Sequence, residues 1–280
     1  MRPTRCYFSL SEIAAGHHRD HNEWHQLDHR PENLLIPGIA WGDRWVRPPD
    51  CRALSSGTAD AYMNAHYAIM YWFREPMRET LDDFFALSER SFAWGRSPQV
   101  GWTKRPMRGF FVPIKGYAAP RVRVSADALP FRPVKAILVT QTRLDHAHRD
   151  ARKVLAWQDE IRLPDLLATR GVAGAWTFGD DALFQPPWEE GGPGWSFADR
   201  NSRSGLPVPN RMRILYLDEE PADVLGQIEE DDRARRRAGR LIDASAVEEV
   251  VFESPFRAVV PWEWDWFDGD AAKGEAGSGR

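Results

Sequence analysis

The sequence predicts an α+β chain that carries two β-α-β-β-α-β units, the ferredoxin-like arrangement. Three observations lead there. A W-x6-P-x6-G pattern occurs twice, as Trp24, Pro31 and Gly38 and as Trp157, Pro164 and Gly171, at a constant offset of 133 residues. Leu34/Leu167 and Ala40/Ala173 keep the same offset. Around each copy, strand-like and helix-like segments follow in the same order, which is how an internal repeat shows itself.

The elements run as follows. The first half opens with the strand "RCYFSL" (5–10), and the patterned stretch after it reads as a helix ending near Pro37-Gly38. "GIAWGDRWV" (38–46) is rich in β-formers, and a polar stretch (47–63) separates it from the strand "AHYAIMYWF" (65–73). A helix (76–92) starts at Pro76, where a first turn tolerates proline, and the strand "MRGFFVPIKGY" (107–117) closes the unit. The second half repeats this with strands at 134–142, 171–178, 211–218 and 249–260. Its patterned helix is followed later by a second one at 220–242, opened by Pro221. Units at 1–117 and 134–267, a join at 118–133 and a disordered tail at 268–280 are the expected organisation.

Composition narrows the function. The 280 residues are 42% hydrophobic and 28% charged with a net charge of −4, so no basic field points to nucleic acid. No apolar run nears the roughly 20 residues that span a bilayer, and the N-terminus lacks a signal-peptide core. Cys6 and Cys51 form neither a metal-type pair nor a disulfide framework. A cytoplasmic location is the expectation. Thirteen tryptophans suit a core that also lines an aromatic pocket. No Rossmann glycine fingerprint or P-loop is present, so no nucleotide cofactor is indicated.

The stretch "EWHQLDHRPENLLIPGIAWGDRWV" resembles the first-helix signature of EthD-like proteins in the dimeric α/β-barrel superfamily, through Trp24, His29, Pro31, Glu32 and Gly38. The second copy matches with Trp157, Pro164, Asp165 and Gly171 but has Arg162 at the histidine position. The resemblance implies two four-stranded sheets that face each other around a cavity, with helices outside. Relatives usually pair two single-unit chains; here both units lie in one chain. A homodimer of the fused chain stays open.

With Trp24 at 0° and 100° per residue, His21 and Asp28 fall at about +60° and +40° on the predicted helix, where the second copy has Val154 and Ile161. His18, His25 and His29 form a neighbouring stripe. Three readings stay open for this cluster. Its members cap the helix and bond to one another. Alternatively, His29 or His25 is a general acid/base oriented by Asp28. In the third, His21/His25 or His25/His29 bind a metal with Asp28 or His18, a reading with neither an HExxH motif nor a distant Cys/His pair behind it. In the 64–73 strand one face carries His66, Met70 and Trp72 and the other Tyr67, so His66 or Tyr67 lines the cavity. Trp41, Met70 and Trp72 are expected as substrate walls, with Arg162 as a binding group. Trp188 and Trp195 sit on a long Gly/Pro-rich insertion that could act as a lid. The expected function is cofactor-independent acid/base chemistry, of lyase, dehydratase, isomerase or cyclase type, on a small apolar or aromatic molecule. The alternatives are a haem-dependent or cofactor-free oxygenase, and a non-catalytic binding or assembly protein.

Overall fold

A computed structural model describes residues 3–97, 101–180, 209–264 and 266–267. Its strands are β1 (Arg5–Ile13), β2 (Ile39–Val46), β3 (Tyr67–Phe73), β4 (Thr103–Ala118), β5 (Ala136–Leu144), β6 (Val172–Asp180), β7 (Arg211–Leu217) and β8 (Glu248–Ala258). They close into one barrel in the order β1-β3-β2-β8-β5-β7-β6-β4, with every neighbouring pair antiparallel. The helices are α1 (His18–Trp24), α2 (Arg30–Leu34), α3 (Pro49–Ala53), α4 (Met77–Ala93), α5 (Ala151–Trp157), α6 (Leu163–Ala168) and α7 (Pro221–Arg237). Five-residue π turns, His25–His29 and Gln158–Arg162, join α1 to α2 and α5 to α6. No helix among the described residues is long and apolar enough to cross a membrane.

Each half contributes four strands in the order last-first-third-second: β4-β1-β3-β2 and β8-β5-β7-β6. The halves join through β2 with β8 and β4 with β6. The repeated tryptophan, proline and glycine have the same structural work in both. Trp24 Nε1 donates to Arg96 O at 2.6 Å and Trp157 Nε1 to Arg240 O at 3.4 Å, so each tryptophan ties the first helical run to the chain just past the second helix of its half. Pro31 and Pro164 have no N–H to continue the α ladder. Immediately before them the chain makes wider i→i−5 bonds, Arg30 N–H to His25 O and Leu163 N–H to Gln158 O. That is a π turn of the kind found where a ladder is interrupted. Gly38 and Gly171 let a strand start against a helix: a Cβ would lie 1.6 Å from Thr80 Oγ1 of α4 in one case and 2.7 Å from Val224 Cγ2 of α7 in the other. At Gly171 the positive φ of 84° adds a second reason for glycine.

The barrel interior is a packed core rather than the cavity expected from the resemblance. Phe8, Met70, Trp72, Trp176, Phe178, Phe252 and Phe256 fill it, all at 2% exposure or less. The indole of Trp72 lies 5.5 Å from Trp176 and 5.4 Å from Phe178, ring centre to ring centre. Eight strands enclose a lumen that side chains can fill, and large aromatics do so here. Met70 and Trp72 therefore belong to the core and not to a substrate wall. Replacing Trp72 by alanine is expected to cost about 3–5 kcal/mol, read from urea unfolding, because the cavity would be enclosed by rigid strands. The 118–133 join also packs onto the barrel: Leu129 is fully buried and Trp176 Nε1 donates to Ala126 O at 2.9 Å. The tail from 268 lies outside the described residues.

A candidate histidine–arginine centre

The outer face of β1, β3 and β2 carries the first helical run. The i, i+3, i+4, i+7 spacing of α1 puts His18, His21, Asn22 and His25 in one stripe on the sheet, all at 2% exposure or less. Beyond His25 the π turn advances less than 100° per residue. Asp28 is carried sideways to the surface, where it accepts from Arg96 Nε at 3.2 Å; Arg96 also binds Glu32 at 3.0 Å. Asp28 thus orients no histidine, contrary to the expectation. Ile161, its counterpart in the second half, is 39% exposed for the same reason.

Beneath the inner stripe lies Arg44 of β2. Its Nη2 donates to Asn22 Oδ1 at 2.6 Å, and its guanidinium sits 4.4 Å above the ring of Tyr67. Asn22 Nδ2 donates to Tyr67 Oη at 2.9 Å, and a His18 ring nitrogen lies 3.0 Å from the same hydroxyl. His21 packs 5.5 Å from Tyr67 and 5.9 Å from both Trp24 and Trp102. His25 is 6.1 Å from His21 and 5.2 Å from His29. His29 stacks on Trp24 at 4.5 Å and shares a 3.1 Å hydrogen bond with Asn33.

Arg44 is 2% exposed and has no carboxylate within ion-pair distance among the described residues. Its Nε and Nη1, and both ring nitrogens of His21 and of His25, have no hydrogen-bond partner there. Each such buried polar atom costs about 1–3 kcal/mol. Burial, followed by the charge of Arg44, holds His21 and His25 well below the usual histidine range, so both are neutral bases. Burial and then Arg105 push His29 down to about 3. Burial also lowers Arg44 to about 10.

The other expected site residues are spread out. His66 accepts from the Ile13 N–H at 3.1 Å through Nδ1 and meets His18 edge-on at 4.6 Å; burial and His18 push it down to about 3. Tyr67 faces the helices, inside the centre. Trp41 is half-buried, 5.4 Å from the guanidinium of Arg30. Arg162 lies in the other half, where Nη2 donates to Asp232 Oδ2 at 2.7 Å. Trp188 and Trp195, and so the lid, lie outside the described residues. No cluster of three or more His, Cys, Asp or Glu among the described residues is arranged to hold a metal ion. Arg44 and Asn22 were not anticipated. Arg44 alternates with Gly42 and Val46 in "GDRWV", so an arginine on an otherwise uncharged strand face was the available signal.

No family model matches the chain, and no curated protein is similar to it in sequence. Among the solved structures that share its fold are two with a TM-score above 0.5. One is assigned provisionally as a chlorite dismutase, with a TM-score of 0.52 and 10% identity over 93% of this chain and 96% of the other. The second is a dye-decolorizing peroxidase from Bacteroides thetaiotaomicron, with a TM-score of 0.53 and 7% identity over 92% and 94%. Both are named for redox activities. They overturn the expectation of a cofactor-independent lyase, dehydratase, isomerase or cyclase. The chain shares with them an α+β fold of the ferredoxin-like kind, with an antiparallel eight-stranded sheet.

Proposed function

We propose that the chain is a haem-dependent redox enzyme whose reaction centre is formed by His21, His25 and Arg44. The observation that carries the reading is the set of orphaned nitrogens: two fully buried neutral imidazoles beside a buried guanidinium without a carboxylate. The donor chemistry fits haem, whereas both imidazoles are packed at 1% exposure or less among Trp24, Tyr67 and Trp102, so the helical run has to part from the sheet to admit the group. A neutral imidazole holds the lone pair that iron takes, and a guanidinium matches a propionate or an anionic oxidant. Bound haem would supply the redox-active iron. The chain's own part is to keep His21 or His25 unprotonated, to exclude water with Trp24, Trp102 and Tyr67, and to aim Arg44 through its bond to Asn22. The fold likeness to a dismutase and a peroxidase points the same way.

Hemin titration of the purified chain tests this. A sharpened Soret band is expected, lost or strongly shifted in His21→Ala or His25→Ala and retained in Asp28→Ala. Absence of the band, or its persistence in both histidine variants, would sink the reading. A second reading rests on how tightly the rings fill this interface: the centre takes a small oxyanion without haem. Calorimetry with nitrite on hemin-free protein separates the two, since only the second gives heat that Arg44→Met abolishes.

A duplicated origin for units 1–117 and 134–267 is supported by the matching strand order and by π turns at the same 133-residue offset. The EthD-like kinship rests on the residues of the first copy and on the shared work of Trp24, Pro31 and Gly38. Closure of the barrel within one chain removes the need for a second copy to complete it.

A further inference from the structure

The second half leaves open what the first half fills. Between its π turn and the outer face of β5, β7 and β8 lies a cleft of about 150 Å³. At the 133-residue offset, Gln158 replaces His25 and Thr177 replaces Arg44, so the packing rings and the strand-two guanidinium are gone. The floor consists of two rows that cross three strands. In one, Arg213 Nη2 donates to Thr140 Oγ1 at 3.2 Å, and Thr140 donates to Glu253 Oε2 at 2.7 Å. In the other, Thr142 Oγ1 donates to Glu248 Oε1 at 2.6 Å, and Gln158 Nε2 also donates to Glu248. Arg211 stands at the β7 end of this second row, opposite Thr142.

The rows place arginines on β7 and glutamates on β8, with hydroxyls of β5 between them. Arg211 lines the cleft without an ion pair among the described residues, whereas Arg213 Nη2 lies 3.7 Å from Glu253 Oε2 and only its buried Nε has no hydrogen-bond partner. Glu248 and Glu253 both line the cleft, and each also accepts a hydrogen bond from a β5 hydroxyl. A simple anion would meet both carboxylates, and a simple cation both guanidiniums. Only a ligand with both charges satisfies the two sides. Trp157, Leu163 and Val250 add apolar wall, and the volume is below that of drug-sized pockets.

We propose that this cleft is a second binding site, for a small α-amino acid with an apolar side chain. Arg211 takes its carboxylate, Glu248 and Glu253 its ammonium, and Trp157 and Val250 its side chain. The site is independent of the histidine–arginine centre.

Isothermal calorimetry on the full chain, hemin-free, tests it with leucine and two single-charge analogues, 4-methylpentanoate and isopentylamine. Leucine is expected to bind at millimolar concentration or below and more tightly than either analogue. Arg211→Gln, at a half-buried position, is expected to fold normally by thermal unfolding and to weaken leucine on the order of tenfold or more. The proposal is overturned if leucine gives no heat at millimolar concentration. It is equally overturned if 4-methylpentanoate binds as tightly as leucine, or if folded Arg211→Gln binds as the parent does.

Discussion

Lowering the pH from 7 to 5 is expected to remove several kcal/mol of folding stability. His29 and His66 have folded-state values of about 3, set first by burial, against about 6.5 for an unperturbed histidine. Between those values the unfolded chain binds the proton and the native chain does not. Stability is therefore full above pH 6.5 and falls as pH drops, until the native state also protonates near pH 3. At pH 5 each group accounts for about 2 kcal/mol. His21 and His25 are shifted in the same direction and add to the loss. A protein of ordinary stability, about 5–15 kcal/mol, would then be close to unfolding. Urea unfolding at the two pH values measures this directly. A difference below about 1 kcal/mol would mean that the imidazoles are not held neutral and dry.

Arg44→Met is expected to stabilise the hemin-free chain while destroying ligand binding. The guanidinium is buried, two of its nitrogens are unpartnered, and its firm contacts are Asn22 and the face of Tyr67. Replacing a buried ionic group by an apolar side chain of similar volume often gains about 1–4 kcal/mol. The lost bond to Asn22 and the lost contact with Tyr67 offset part of that. A net gain on the order of 1–2 kcal/mol should raise Tm by a few degrees. Hemin or nitrite binding should fall in the same variant. Such an exchange of stability for binding marks a site, since a residue kept for structure would destabilise on removal. Differential scanning calorimetry beside the hemin titration gives both readings. A fall in stability of about 2 kcal/mol or more would make Arg44 a structural residue.

Trp24, Pro31 and Gly38, with their second copies, determined the fold because each acts locally. The proline breaks the ladder, the glycine permits close approach, and the tryptophan reaches the end of the next helix. Strand alternation likewise divided Met70 and Trp72 from Tyr67 before any face could be assigned. The tertiary structure alone decided which face was inside and whether the inside was empty. It also decided which ionisable groups met. The π turn is a property of the whole helical run, and it moved Asp28 outward against a uniform 100° step. Arg44 joins Asn22 and Tyr67 from separate strands and helices, and the Arg211–Thr142–Glu248 row is assembled from three strands far apart in the chain. Contacts of that kind depend on register and closure, which act through space; a one-dimensional pattern records the residues that can form them but not their meeting.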